Sequence, residues 1–502
     1  LLFSFFDLPY YVQFKNIAYG SWGWTAETII STGFVRLNTR YRKKLQIRRK
    51  KGTRPPSAIG FLYNTPEWFN ISIYRAMLPI RRIFFLCVLV VAWPGVLPAS
   101  AWEYHLGLDM GGRLTWYENY LDRGSLELTD QFHFSQDRSY QLLWAAPYLS
   151  FTPRKGVTGY LQGEISWDNS DVDVFEEGFD AKLIHAYLSL SKGGVGADLG
   201  QQTVIFGNGL IMADEVPAAV LNLNQGKGYL QLTLAQALDS CPMAAATLGY
   251  RPGYFENMAL FGIWFQDQDD AFAKAIPYIY QLLFDPQSEG DLYWAGVSAE
   301  LLLGKVLFTA VGAYQWGDFR LYTETDSARY DVSAYLADLC LEGNLTSWCS
   351  LEAFVFATGG DDPPIHRELN TFVAIMPYNP RAAIFFDPEF MGRDADDERL
   401  TFNGGFFGGV IAPGLALHLE SEAGLSAEAA VASFYAPEDL DDGSRWYGWE
   451  VDLTLGYTLF QDCTLYLEAA QFQHGDYYES LLNEEVDPAT RLSVGFRYQF
   501  AR

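Results

Sequence analysis

The stretch Arg491–Phe500, RLSVGFRYQF, sets Leu492, Val494, Phe496, Tyr498 and Phe500 against Arg491, Ser493, Gly495, Arg497 and Gln499. Side chains of a strand point alternately to opposite faces, so a strand here is apolar on one side and polar on the other. From Tyr447 the same rhythm sets Tyr447, Trp449, Val451, Leu453, Leu455, Tyr457 and Leu459 against Gly448, Glu450, Asp452, Thr454, Gly456 and Thr458. Near Tyr104, Leu106, Leu108, Met110, Leu114 and Trp116 alternate with His105, Gly107, Asp109, Arg113 and Thr115. From Val157, Leu161, Ile165 and Trp167 alternate with Thr158, Gln162, Glu164 and Ser166. Strands of soluble proteins average about 5–6 residues. These segments are about twice that, near the ~9–11 residues that cross a bilayer at a tilt. Aromatic residues gather at their ends (Trp116, Trp167, Tyr447, Trp449, Tyr498, Phe500), as interfacial girdles do. A sheet in lipid leaves no open edge, so it must close. The expectation is an all-β transmembrane antiparallel β-barrel of about 16–18 strands, with residues 414–435 read either as one long strand or as a hairpin. A soluble periplasmic β protein is the alternative, since a sandwich also alternates.

A leader-like stretch agrees with export. Met77–Tyr104 holds Arg81 and Arg82, an eleven-residue apolar run from Ile83 to Trp93, a Pro94-Gly95 break and Ala99-Ser100-Ala101. These are the three parts of a secretory signal, and the run is too short for a spanning helix, which needs about 18 apolar residues or more. Residues 77–101 are therefore expected to be a signal peptide and residues 102–502 a barrel of the Gram-negative bacterial outer membrane. Residues 1–76 contain no methionine and carry the basic run Tyr41–Lys51. They read as a mis-assigned upstream extension rather than a domain, with a genuine extension or a nucleic-acid-binding arm as alternatives. The expected partners are outer-membrane lipid and lipopolysaccharide. The terminal FRYQF, followed by Ala501-Arg502, resembles the signal read by barrel assembly machinery, a further expected partner.

Charge excludes one class of partner. Of the chain's 35 Lys+Arg, 14 precede residue 102, against 3 of its 61 Asp+Glu, so residues 102–502 carry a net −37. Such a surface does not bind nucleic acid through phosphates and attracts cations. Cys241, Cys340, Cys349 and Cys463 are too few for a disulfide scaffold. Cys340 and Cys349 flank an expected turn at Glu342-Gly343-Asn344 and could face each other, bonded or not.

Short polar links (191–194, 461–462) read as periplasmic turns, and longer acidic ones (169–180, 207–226, 266–291, 358–400, 436–445, 474–489) as outer loops. Strict up-and-down order fails between Asp239 and Asp291. Ile276–Phe284 reads as an apolar plug element or an irregular strand. The clusters EDLDDG (438–443) and RDADDER (393–399) lack full calcium-loop spacing. Solvated acidic loops are expected there, with loop-bound calcium the alternative and no other cofactor implied. His105, His133, His185 and His418 fall on polar faces, while His366 and His474 fall in or beside loops; no two have metal-ligand spacing. No G-x-S-x-G or phosphate loop occurs, so no enzyme is expected.

The polar faces supply a candidate channel lining: Asp109, Glu164, Asp198, Gln201, Glu300, Glu420, Glu450, Asp452 and Glu468, with the bases Arg113, Lys182, Arg491 and Arg497. Charges lining a pore set its ion and solute preference. This lining is either the mixed charge of any wet lumen or a cation-favouring pore with an arginine constriction.

Three segments in order resemble the alginate-export family of outer-membrane porins: AYLSLSKGGVGADLGQQTVIFGNG (186–209), AGVSAELLLGKVLFTAVGAYQWG (295–317) and GWEVDLTLGYTLFQDCTLYLEAAQFQHGDYYE (448–479). The resemblance implies an eighteen-stranded barrel that passes a hydrophilic solute, ion or polysaccharide. Gln201 stands where that family's Gly-Arg-Gln step has arginine. Fold and transport role carry over better than the substrate. The rival functions are a plugged structural or adhesive barrel and a barrel lipase, which would need a Ser-His pair facing lipid.

Overall fold

The computed structural model describes residues 103–120, 136–170, 178–238, 240–252, 255–268, 270–275, 287–322, 327–361, 368–379, 381–386, 400–402, 408–440, 443–460, 462–482 and 486–501. The leader, the segment before it, His133, His366, the run 276–284, the cluster 393–399 and Asp441-Asp442 of the other cluster lie outside the described residues.

The strands are β1 (Glu103–Tyr120), β2 (Gln136–Arg154), β3 (Val157–Ser170), β4 (Gly178–Lys192), β5 (Val195–Phe206), β6 (Met212–Gln225), β7 (Gly228–Ala237), β8 (Cys241–Tyr250), β9 (Phe255–Asp267), β10 (Gln287–Leu303), β11 (Val306–Tyr322), β12 (Ser327–Asn344), β13 (Cys349–Thr358), β14 (Glu368–Leu369), β15 (Val373–Ala374), β16 (Thr401–Phe402), β17 (Val410–Glu420), β18 (Leu425–Tyr435), β19 (Trp446–Phe460), β20 (Cys463–His474) and β21 (Ala489–Ala501). Short helices α1 (Ala271–Ala275) and α2 (Asp476–Leu482) lie in links. Setting aside the two-residue β14, β15 and β16, each strand pairs antiparallel with the next, and β13 pairs with β17. β21 then returns to β1, from Gly107↔Ala501 to Glu118↔Thr490. The result is a closed eighteen-stranded antiparallel barrel. No helix among the described residues is long and apolar enough to cross a membrane; strands make the crossing.

Outward faces carry an apolar belt, with Leu106, Leu143, Ile165, Leu199, Leu234, Leu260, Val297, Leu339, Leu415, Val431, Leu453 and Val494 all exposed. Apolar patches beyond a few hundred Å² are rare on soluble monomers, whereas a belt right around a barrel is what lipid requires. Trp116, Trp449 and Phe500 are exposed at strand ends.

Every link obeys up-and-down order. The end holding Glu103 and Ala501 (the terminal end) has the tight links 155–156, 193–194, 226–227, 251–254, 304–305, 345–348, 421–424 and 461–462. The opposite, loop end holds the longer ones, including 359–409. At 193–194 both residues are glycines with positive φ (+60° and +88°), which a two-residue hairpin turn demands.

One open reading is settled and three sequence expectations are corrected. Residues 414–435 belong to a hairpin of two strands. The stretch after Asp239 resolves into β8 and β9 in regular order. Residues 207–226 are mostly strand β6 rather than loop: Asp214, Glu215 and Pro217 look like loop residues, yet β6 pairs with β5 along its length, Pro217 opposite Gln201. β12 runs through Asn344 and turns at 345–348, so Cys340 pairs with Phe354 rather than Cys349, and both cysteines are free.

One parity also changes. Tyr447 is buried and does not share the outward face of Trp449. Gly448 breaks the alternation with φ +140°, where β18 and β19 slip register. A Cβ there would sit 2.0 Å from the Gln473 carbonyl oxygen, so this reversal needs glycine.

Candidate functional site

A barrel of this size encloses an aqueous lumen unless something occupies it. Here the described parts of the link 359–409 fold back inside. A buried link must find partners for its backbone polar groups, and the inner wall supplies them. At its entry, Asp361 accepts hydrogen bonds from the Asn370 backbone N–H (2.6 Å), the Asn370 amide (2.9 Å), the Thr371 backbone N–H (3.1 Å) and the Thr371 hydroxyl (3.1 Å). Gln315 on β11 reads Val373 at both ends: its Nε2 donates to the Val373 carbonyl (3.0 Å) and its Oε1 accepts from the Val373 N–H (2.8 Å). Trp294 Nε1 on β10 donates to the same carbonyl (3.1 Å). Ile375 and Tyr378 N–H donate to the Ile211 and Gly209 carbonyls, and Ala213 N–H to that of Met376, each at 2.9 Å.

Further on, Arg381 makes a two-pronged ion pair with Asp338 on β12 and approaches Glu352 on β13 (3.9 Å). Burial opposes the Arg381 charge, yet Asp338 and Glu352 outweigh it and raise its pKa. Burial first, then the nearby Glu468 and Glu428 charges, push the Tyr378 hydroxyl's pKa up. The Ile384 and Phe385 N–H groups donate to the two oxygens of Glu450 on β19 (2.7 and 2.8 Å), and Arg491 on β21 donates to the Ala383 carbonyl (2.8 Å). Phe385 stacks on Phe434 (centroids 4.1 Å apart) beside Phe472 and Tyr447, whose hydroxyl donates to the Gly409 carbonyl (3.0 Å).

The molecule's core therefore lies inside the barrel toward the loop end. Phe265, Trp294, Phe356, Phe434, Tyr447 and Phe472 are fully buried on the wall against Phe372, Val373, Ile375, Ile384 and Phe385 of the link. An inner face that is polar throughout, as the alternation implied, holds only for part of the wall. Where the link docks, the inner face carries aromatic residues among its polar ones because it meets the link, while the outer face meets lipid.

The residues expected to line a channel fall into groups. Glu450, Asp452, Glu468 and Arg491 are nearly fully buried at the docking region, with Arg491 Nη2 3.4 Å from Glu468 Oε2. Glu164 and Lys182 form an ion pair across β3 and β4 (3.1 Å). Arg497 pairs with Asp109 across the β21–β1 closure, where Gln499 also donates to Asp109 (3.0 Å). Arg113 is buried on β1, two residues from the Gly111–Arg497 register pair. Asp198 is half-buried with the Asn222 amide at 3.4 Å, and Gln201 donates to the Glu215 carbonyl (2.7 Å). Glu300 is half-buried opposite Thr309, and Glu420 is exposed at the terminal rim. The structure thus brings Glu450, Asp452, Glu468 and Arg491 together, and leaves Asp198, Gln201, Glu300 and Glu420 apart from them.

Sequence reading missed Gln315, Trp294, Asp338, Arg381 and Asp361. Gln315 and Asp338 carry a usable signal, a polar residue amid aromatic or aliphatic neighbours on strands. Arg381 and Asp361 sit in a link with no periodicity to interpret. Among the histidines, His105 is exposed. His185 bridges Gln162 (3.0 Å) and Thr203 (2.9 Å). His418 points inward between Glu352 (3.6 Å) and Glu428 (3.2 Å), and His474 packs against Phe472 and Tyr478.

No family model matches the chain, and no curated protein matches it. Among solved structures it is similar to Pseudomonas aeruginosa OccK9 (OpdG), with a TM-score of 0.51 and 12% identity over 80% of this chain and 99% of that one. Pseudomonas aeruginosa OccK5 (OpdH) matches with a TM-score of 0.49 and 10% identity over 80% and 98%. The outer membrane protein OpdK of the same organism matches with 0.48 and 10% over 79% and 99%. At these identities the likeness to OccK9 is one of fold: a closed barrel of the same kind.

Proposed function

We propose that this protein is a channel of the bacterial outer membrane through which a hydrophilic solute passes by diffusion, without catalysis. The observation that carries the reading is the link 359–409, held against the inner wall by wall side chains (Gln315, Trp294, Asp338, Glu450, Arg491). Such an insertion narrows a wide barrel to a defined passage, where charge and shape select what enters. The closed barrel and its exposed apolar belt support the location.

The pairing of the lumen bases supports a preference for cations. Lys182, Arg491 and Arg497 each face a wall carboxylate, so they leave little positive field, while residues 102–502 as a whole carry a net −37. Asp198, Glu300 and Glu420 fit the channel lining of this reading, together with the paired groups. Membership of an alginate-export-like group stays part of the proposal on the three sequence segments alone, and the paired bases and acidic balance favour a substrate other than an anionic polysaccharide. Lipid and lipopolysaccharide around the apolar belt, and the assembly machinery acting on the final strand, complete the expected partners. Loop-bound calcium at Glu438–Gly443 or Arg393–Arg399 is part of the proposal on the carboxylate-rich sequence alone.

The same insertion also suits a second reading, a barrel plugged for a structural or adhesive role. Planar-bilayer recording on barrel purified from membranes, under a salt gradient, separates the two. Steady conductance with a cation-selective reversal potential is expected. Anion selectivity would revive an anionic sugar, and a folded barrel without conductance would leave the plugged reading.

A further inference from the structure

We propose that Tyr148, Tyr160 and Tyr187 form a stacking lane on the channel wall for neutral oligosaccharides; the inference rests on the channel reading and deepens it. The three tyrosines lie on β2, β3 and β4. Register places Tyr148 opposite Gly107, on the face of β1 that holds Asp109, and places Tyr160 opposite Tyr187. All three therefore face inward, near the terminal end, on strands that make none of the wall contacts described for the link. Their rings are near parallel: Tyr148–Tyr160 centroids are 5.8 Å apart at 20°, and Tyr160–Tyr187 are 5.5 Å apart at 26°.

A pyranose ring has an apolar C–H face that packs on an aromatic face and a rim of hydroxyls that needs planar polar partners. Both are present. Gln162 lies on β3 in register with Tyr148 and His185, accepting from the Tyr160 hydroxyl (3.0 Å) and contacting His185 Nδ1 (3.0 Å). Beside Tyr148, Asp109 and Gln499 add a carboxylate and an amide. The spacing of the rings is close to the length of one sugar residue, so successive residues of a chain meet successive rings. A neutral chain fits better than an anionic one because the charges nearest the lane are already paired, Asp109 with Arg497 and Glu164 with Lys182.

Glycine-covering alone does not account for the lane. Tyr148 does lie over Gly107, where a Cβ would meet its ring at 2.0 Å, a known way of supporting barrel glycines. Tyr160 and Tyr187 cover no glycine in this way: Gly159 meets Phe151, and Gly200 meets backbone.

The test is titration calorimetry of cellohexaose into the detergent-purified barrel, beside bilayer recording with and without the sugar. The wild type is expected to bind and to show transient current block. Y160A and Y187A, which cover no glycine, should each weaken binding about tenfold, whereas Y160F and Y187F should keep it. No binding by the wild type, or unchanged binding by folded Y160A and Y187A, overturns the lane and leaves wall packing as the role of these rings. Binding without conductance refutes the channel reading but not the lane; conductance without binding does the reverse.

Discussion

Glu450 shows how one side chain decides whether the link stays docked. Its carboxylate is fully buried, a costly position unless its oxygens are matched, and the Ile384 and Phe385 N–H groups match them. E450A leaves two buried donors unsatisfied, each worth about 1–3 kcal/mol. The barrel strands keep their own ladders, so E450A is expected to fold, to admit protease cleavage within 359–409 and to conduct more; unchanged proteolysis would refute the docking role. Arg491 poses a different problem. R491M removes the partner of buried Glu468 and a donor to Ala383, and breaking a buried pair costs about 3–5 kcal/mol. The double variant R491M/E468L removes both charges and should recover part of that loss in guanidinium unfolding. A double variant no more stable than R491M would refute that recovery.

At the scale of elements, β19 depends on Gly448. Its φ of +140° turns Tyr447 inward while Trp449 stays outward, and a side chain there meets the Gln473 carbonyl. G448V is expected to cost about 1–3 kcal/mol and to lower the fraction of barrel that runs as the compact species on an unheated gel. The link 359–409 is the other separable element. Its contacts are to side chains and to link backbones more than to the ladders of the eighteen barrel strands. Replacing residues 370–402 by a short Gly-Ser segment should leave a folded barrel with conductance raised several-fold; unchanged conductance would mean that the passage is set elsewhere.

For the whole molecule the distribution of charge is decisive. Carboxylates outnumber bases, and three of the lumen bases face carboxylates. Cation selectivity is therefore expected near neutral pH and should weaken as pH falls toward about 4, where unperturbed carboxylates take up protons. The sign follows because protonation removes negative charge and leaves the bases unopposed. A reversal potential that does not move over that range would assign selectivity to something other than wall carboxylates.

Much of the architecture was legible in residues because strand periodicity is local. In β21, Leu492, Val494, Phe496 and Phe500 face out and Arg491, Ser493 and Arg497 face in, as their alternation says. The eighteen-stranded closure followed from long strands, from lipid's intolerance of open edges and from the family resemblance. The docked link was not legible, because a link inside a barrel has no period and its partners are scattered: Asp338, Gln315, Glu450 and Arg491 lie on four strands that only closure brings around one segment. Tyr447 was misplaced because a single positive φ resets parity without changing the residues on either side. The sequence alone determined which faces meet lipid, since that depends on neighbours two residues apart. Only the tertiary structure decided what fills the interior, since that depends on groups from many strands converging on the same buried backbone.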